Sequence, residues 1–149
     1  DPEPQENVGK YRQLSLIARW LSLGLVAKPV MKIMFGEKFL NDPSRTALRA
    51  EWQRRMVSNH RIGITRAVEG VITRQGVYDQ LPRIQAPTLI LVGDQDVATV
   101  PAKAERIQAC IRGSQLRVIP GAGHSSTIEE PGQVNAAIDK FLSDLNKAV

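Results

Sequence analysis

The stretch TLILVGDQDVATVP, residues 88–101, decides how the rest of the chain is read. From 88 to 92 every residue but Thr88 is apolar and there is no helical period, the pattern of a strand covered on both faces in a parallel sheet. Gly93 ends the run, Asp94 and Asp96 fall in a turn, and Pro101 suits the first turn of a helix with Ile107, Cys110 and Ile111 on its inner side. QLRVI, residues 115–119, is the expected neighbouring strand. A last amphipathic helix starts near Pro131 and carries Val134, Ile138, Phe141, Leu142 and Leu145 on its apolar side. Strand, helix, strand, helix is a crossover unit of the α/β class, right-handed when the strands are parallel.

Upstream the texture differs. Between 11 and 76 the apolar spacing is helical: Tyr11, Leu14, Ile17 and Leu21; then Leu48, Trp52 and Met56; then Ile64, Val68, Val71 and Ile72. Pro29 suits the first turn of a helix that Gly36 ends, Asp42 is placed to cap a helix before Pro43, and Gly76 closes the last one. The expected organisation is a helical region at 1–83 and an α/β region at 84–149. Two parallel strands make too small a sheet for the helices they must cover, so further strands are expected from an earlier segment, from another chain or from self-association through the open edge. The chain opens DPEPQENVGK, without an initiator methionine or a secretory pattern, and a preceding segment is the expectation.

With 42% apolar and 23% charged residues in 149, the composition is that of a soluble globular protein. The greasiest stretch, LSLIARWLSLGLVAKPVMKIMF at 14–35, is broken by Arg19, Lys28 and Pro29, which argues against a membrane span and for buried helix. The single cysteine, Cys110, precludes an internal disulfide framework and fits a reducing, cytoplasmic compartment. Of the net charge of +5, all the excess lies before residue 84, where 14 Lys and Arg face 8 Asp and Glu. Arg45, Arg49, Arg54, Arg55 and Arg61 lack the clustering and interleaved aromatics of a nucleic-acid surface, so a solvated helical face is the better reading and no nucleic-acid partner is expected.

Catalytic groups in open parallel sheets gather at the carboxyl ends of the strands. GDQD (93–96) follows the first strand and GAGH (121–124) the second, so the two turns bring a carboxylate and the imidazole of His124 within reach of each other. A carboxylate that accepts a hydrogen bond from one ring nitrogen fixes the tautomer and steadies the imidazolium, leaving the other nitrogen to take a proton from a hydroxyl or water.

At these residues the sequence resembles the alpha/beta-hydrolase family. PTLILVGDQDVATVP (87–101) is similar to its strand and acid turn, and VIPGAGHSSTIEEP (118–131) to its histidine turn. The resemblance implies that Asp96 is the triad acid, His124 the general base and Asp94 a turn residue, and that the helical stretch before them is the cap over the substrate pocket. It leans toward cofactor-free members, enol-lactonase-like and esterase-like, and implies hydrolysis of a carboxylic ester or lactone through an acyl-enzyme; relatives with an aspartate nucleophile act on epoxides or alkyl halides, so the reaction type stays open. The match is strongest over 86–149. What departs from the family is the nucleophile: no serine here stands in a Gly-x-Ser-x-Gly turn. The chain therefore reads as a carboxy-terminal half that supplies acid and base but not the nucleophile, with an amino-terminal half of the same fold, or another chain, completing the sheet.

Other residues take plainer roles. Ser125 and Ser126 are expected to hydrogen-bond within their turn, His60 to end a helix, and Cys110 to pack. Trp20, Leu25, Met31, Met34, Phe35 and Trp52 read mostly as packing within the helical region, with some of them candidates for lining an apolar pocket. Glu129 and Glu130 have no His or Cys at ligand spacing and read as helix-start charges, and neither metal nor nucleotide is called for. The competing reading is a non-catalytic helical and crossover module that binds a protein partner through its open sheet edge.

Overall fold

The computed structural model describes residues 4–147. Its elements run α1 (Gln5–Trp20), α2 (Leu23–Met34), α3 (Glu37–Asn41), a 3-10 turn (Pro43–Arg45), α4 (Thr46–Val57), α5 (Arg61–Thr73), a second 3-10 turn (Tyr78–Arg83), β1 (Leu89–Gly93), α6 (Pro101–Cys110), β2 (Gln115–Ile119), α7 (Ser126–Glu129) and α8 (Pro131–Lys147). They form two compact units: the chain up to Met31 with Pro43–Val77, and Lys32–Asp42 with the chain from Tyr78 onward.

The second unit holds the sheet. β1 and β2 pair in parallel, with Leu89 opposite Gln115 and Gly93 opposite Ile119. Pro101 does open α6, and Pro131 opens α8. The expected cover on both faces of β1 is only partly found: Leu89, Ile90 and Leu91 are half-buried and only Val92 and Gly93 are buried. Among the described residues the sheet has two strands, with α6 and α8 packed on it, which is too little protein to enclose a central-type strand. The same shortage shows on α8, where Val134 is buried while Ile138 and Leu142 stay exposed. Ile119, Ala122 and Val134 form a small core with Leu91 against it. Cys110, the last residue of α6, is half-buried.

Lys32–Asp42 belongs with this unit although its sequence texture is that of the helical region. The Ser125 N–H donates to the Met34 carbonyl at 2.9 Å, and the Lys38 N–H donates to Gln95 Oε1 at 2.9 Å. Phe35 and Phe39 stack with centroids 4.7 Å apart, and Phe39 is fully buried.

In the first unit α1 lies along α5, with Ala18, Leu23 and Val26 buried and Leu14, Ile17, Val30 and Ile64 packed against them. Several expectations need correction here. Pro29 lies inside α2 rather than at a helix start; the bond it cannot donate would have gone to the carbonyl of Leu25, an exposed residue that water can serve. Gly36 does not end α2 but is the N-cap of α3, Asp42 is the C-cap of α3, and α4 starts at Thr46 after the 3-10 turn. α5 ends at Thr73 because Arg74 turns extended, before Gly76 is reached. Trp20 and Leu25 are 72% and 63% exposed, each two residues, and so roughly 200° around the helix, from the buried Ala18 and Leu23. Met31 and Phe35 are buried as expected, whereas α4 buries no residue and Trp52 instead lies under the Arg55 guanidinium at 4.9 Å. His60 caps α5, its Nδ1 accepting the Gly63 N–H at 3.3 Å.

Candidate active site

The two turns at the carboxyl ends of β1 and β2 are bonded to each other before any side chain meets its functional partner. The Asp94 N–H donates to the Ile119 carbonyl and the Gln95 N–H to the Ala122 carbonyl at 2.9 Å. Asp94 Oδ1 in return accepts the Gly121 N–H at 2.7 Å, so Asp94 spans both turns rather than serving its own. Gly121 sits at φ 76°, a conformation that glycine adopts without strain. Gly93 and Gly123 meet a different demand, close approach: a Cβ on Gly93 would collide with the Ala122 carbonyl, and one on Gly123 with the Gly36 amide.

Asp96 is 6% exposed and His124 sits opposite it, with Nδ1 2.9 Å from Asp96 Oδ2. The other carboxylate oxygen, Oδ1, accepts the N–H groups of Ala98 and Thr99, both at 2.8 Å. Asp96 therefore bonds its own turn with one oxygen and the imidazole with the other. The Thr99 hydroxyl donates to Oδ2 at 2.7 Å and lies 3.2 Å from His124 Nδ1. Burial works against the charged form of Asp96. The hydrogen bond from His124, the backbone and hydroxyl bonds from Thr99 and the attraction of the imidazolium outweigh it and hold the carboxyl at about 2, below the usual 3.8. The His124 side chain is about one-third exposed, whereas that of Asp96 is buried. With a carboxylate at Nδ1 the proton sits on Nδ1, and the basic lone pair is on the other ring nitrogen.

A depressed carboxyl stabilises the fold above the unfolded-state pKa and loses that contribution as pH falls through the folded value. For Asp96 the window runs from 3.8 down to about 2. The contribution is roughly 2 kcal/mol. Acid titration followed by circular dichroism should show this loss, and Thr99→Val, which removes one bond to the charged form and so raises the folded-state value, should make the loss smaller and end it at higher pH. An unchanged acid limb in Thr99→Val would contradict the assignment.

Sequence reasoning missed Thr99 and misplaced Glu129. Thr99 is three residues from Asp96, an offset at which a hydroxyl folds back onto an aspartate turn, but many threonines share that offset. Glu129 is no solvated helix-start charge: it is 1% exposed and accepts the N–H groups of Gly36 at 2.8 Å, Gly123 at 3.0 Å and Ser125 at 3.2 Å. Glu130, by contrast, pairs with Lys38 at 2.8 Å. Ser125, the N-cap of α7, makes no side-chain capping bond, so its turn bonds run through the backbone. Among the described residues no group of three or more His, Cys, Asp or Glu stands together as a metal site, and no helix is long and apolar enough to cross a membrane.

The chain as a whole is similar to known proteins. A Synechocystis sp. protein named as a non-heme chloroperoxidase is 32% identical over 111 residues, 74% of this chain and 38% of that one. A thermophilic esterase from Thermogutta terrifontis superposes with a TM-score of 0.81 at 29% identity over 96% of this chain and 52% of its own. The enol-lactonase from Burkholderia xenovorans shares the fold, with a TM-score of 0.80 at 20% identity over 89% of this chain and 50% of its own. The chain thus spans about half the length of these solved relatives, and less of the chloroperoxidase. The sequence model of the alpha/beta hydrolase family matches residues 2–137, most of the length, and the chain belongs to that family.

Proposed function

We propose that this chain supplies the acid and the base of a hydrolase acting on carboxylic esters or lactones, and that the nucleophile and the remaining strands come from residues outside it. The observation that carries the reading is the 2.9 Å contact between a buried Asp96 and a partly exposed His124. His124 takes the proton of a nucleophilic hydroxyl as that oxygen bonds the substrate carbonyl carbon. The protonated ring returns the proton to the departing alkoxide, leaving an acyl-enzyme. His124 then takes a proton from water, whose oxygen attacks the acyl carbon; the carboxylic acid leaves and the nucleophile recovers its proton. Asp96 stays ionised throughout and steadies the imidazolium, a role that its depressed pKa suits.

The substrate class rests on the esterase and enol-lactonase among the fold relatives. The open edges of the two-stranded sheet and the absence of a Gly-x-Ser-x-Gly turn from these 149 residues support an external nucleophile. Within 1–83 the helices outside Lys32–Asp42 and Tyr78–Arg83 are read as the cap that selects the substrate, and 84–149 as part of the catalytic core. A single cysteine, Cys110, favours a cytoplasmic setting. The test is hydrolysis of a short-chain nitrophenyl ester. The full-length protein turns it over, and residues 1–149 alone do not; turnover by the 149-residue chain alone would place the nucleophile inside it and sink this division of labour.

A further inference from the structure

We infer that Glu129 is the positioning residue of His124. Three backbone N–H groups converge on one buried carboxylate: Gly123 and Ser125, the two chain neighbours of His124, and Gly36, 93 residues away in sequence from Glu129. Both flanks of the histidine are thereby tied to a single side chain, and the third bond anchors that side chain to the segment between α2 and α3. The Ser125 N–H also reaches the Met34 carbonyl in that segment. Gly36 and Gly123 approach so closely that neither has room for a Cβ, so the loop has little space to settle elsewhere. The three N–H dipoles compensate a charge that burial would otherwise penalise. Nothing in this arrangement touches the reacting atoms. Its effect is to set the backbone from which the imidazole reaches Asp96.

A glutamine at 129 keeps the shape but has one acceptor oxygen. Its amide group then faces a backbone N–H, donor against donor, in a site without exposure to water. The consequence for turnover rests on the hydrolase reading above, whereas the consequence for the His124 ring does not. In the full-length protein, Glu129→Gln should lower kcat on a nitrophenyl ester roughly tenfold to a hundredfold with KM little changed, as expected for a displaced catalytic group. The downfield proton resonance of the His124 Nδ1–H should broaden or vanish, while Glu130→Gln leaves both readouts as they were. A folded Glu129→Gln variant that keeps the resonance and kcat overturns the inference.

Should the variant not fold, hydrogen exchange on the unsubstituted protein decides. Amides of Gly36, Gly123 and Ser125 that exchange as slowly as those of β1 support the anchor, and exchange at open-loop rates overturns it. Absence of ester turnover in the unsubstituted protein would remove the hydrolase reading and leave the resonance and exchange measurements to judge Glu129.

Discussion

Asp96→Asn should lower turnover on a nitrophenyl ester about ten-thousandfold in the full-length protein, the size of effect seen when a triad acid is made neutral elsewhere. The reason lies in how the two carboxylate oxygens are used. Oδ1 accepts two backbone N–H groups, from Ala98 and Thr99, so the carbonyl oxygen of an asparagine settles there and its amide nitrogen takes the place of Oδ2. That nitrogen donates toward His124 Nδ1, which must then accept, and the ring proton moves to the nitrogen that should be the base. The backbone bonds survive, so the variant should fold, with a melting temperature lowered by loss of the roughly 2 kcal/mol that the charged carboxylate contributes. Rates near those of the unsubstituted protein would remove Asp96 from the mechanism.

The second large effect is structural. Gly93→Ala should destabilise the fold by about 3 kcal/mol, at the upper end of ordinary overpacking, because the added methyl meets backbone rather than a side chain that could swing aside. The obstacle is the Ala122 carbonyl, together with that of Gly123, in the turn that carries His124. Relief requires the two turns to part, which breaks the bonds from Gln95 to Ala122 and from Gly121 to Asp94. The variant should therefore lose the His124 Nδ1–H resonance as well as stability. A melting temperature equal to that of the unsubstituted protein would show that the turns are not in the contact described.

How much of this was legible in the sequence depends on the range of the signal. β1 and β2 announce themselves through local apolar runs, and Pro101 and Pro131 mark helix starts because a proline's missing N–H is harmless there. Asp96 and His124 could be paired because each follows a strand, and parallel strands bring their carboxyl ends to one edge. Glu129 stayed hidden: its partners are backbone amides, which carry no residue-type signature, and one of them is 93 positions away. Trp20 and Leu25 misled because a helical period tells which residues share a face and not how wide the covered face is. Pro29 misled because a helix interior tolerates proline where the residue four positions earlier, here Leu25, is exposed.

His124, held by Asp96, is proposed to activate a nucleophile carried outside residues 1–149. Fluorophosphonate labelling of the full-length protein, followed by mass-spectrometric mapping of the modified residue, addresses it in one measurement. The label is expected outside these residues, with labelling slowed at least about a hundredfold by His124→Ala. A label on Ser125, Ser126 or any other serine within the chain, or a rate indifferent to His124→Ala, would contradict it.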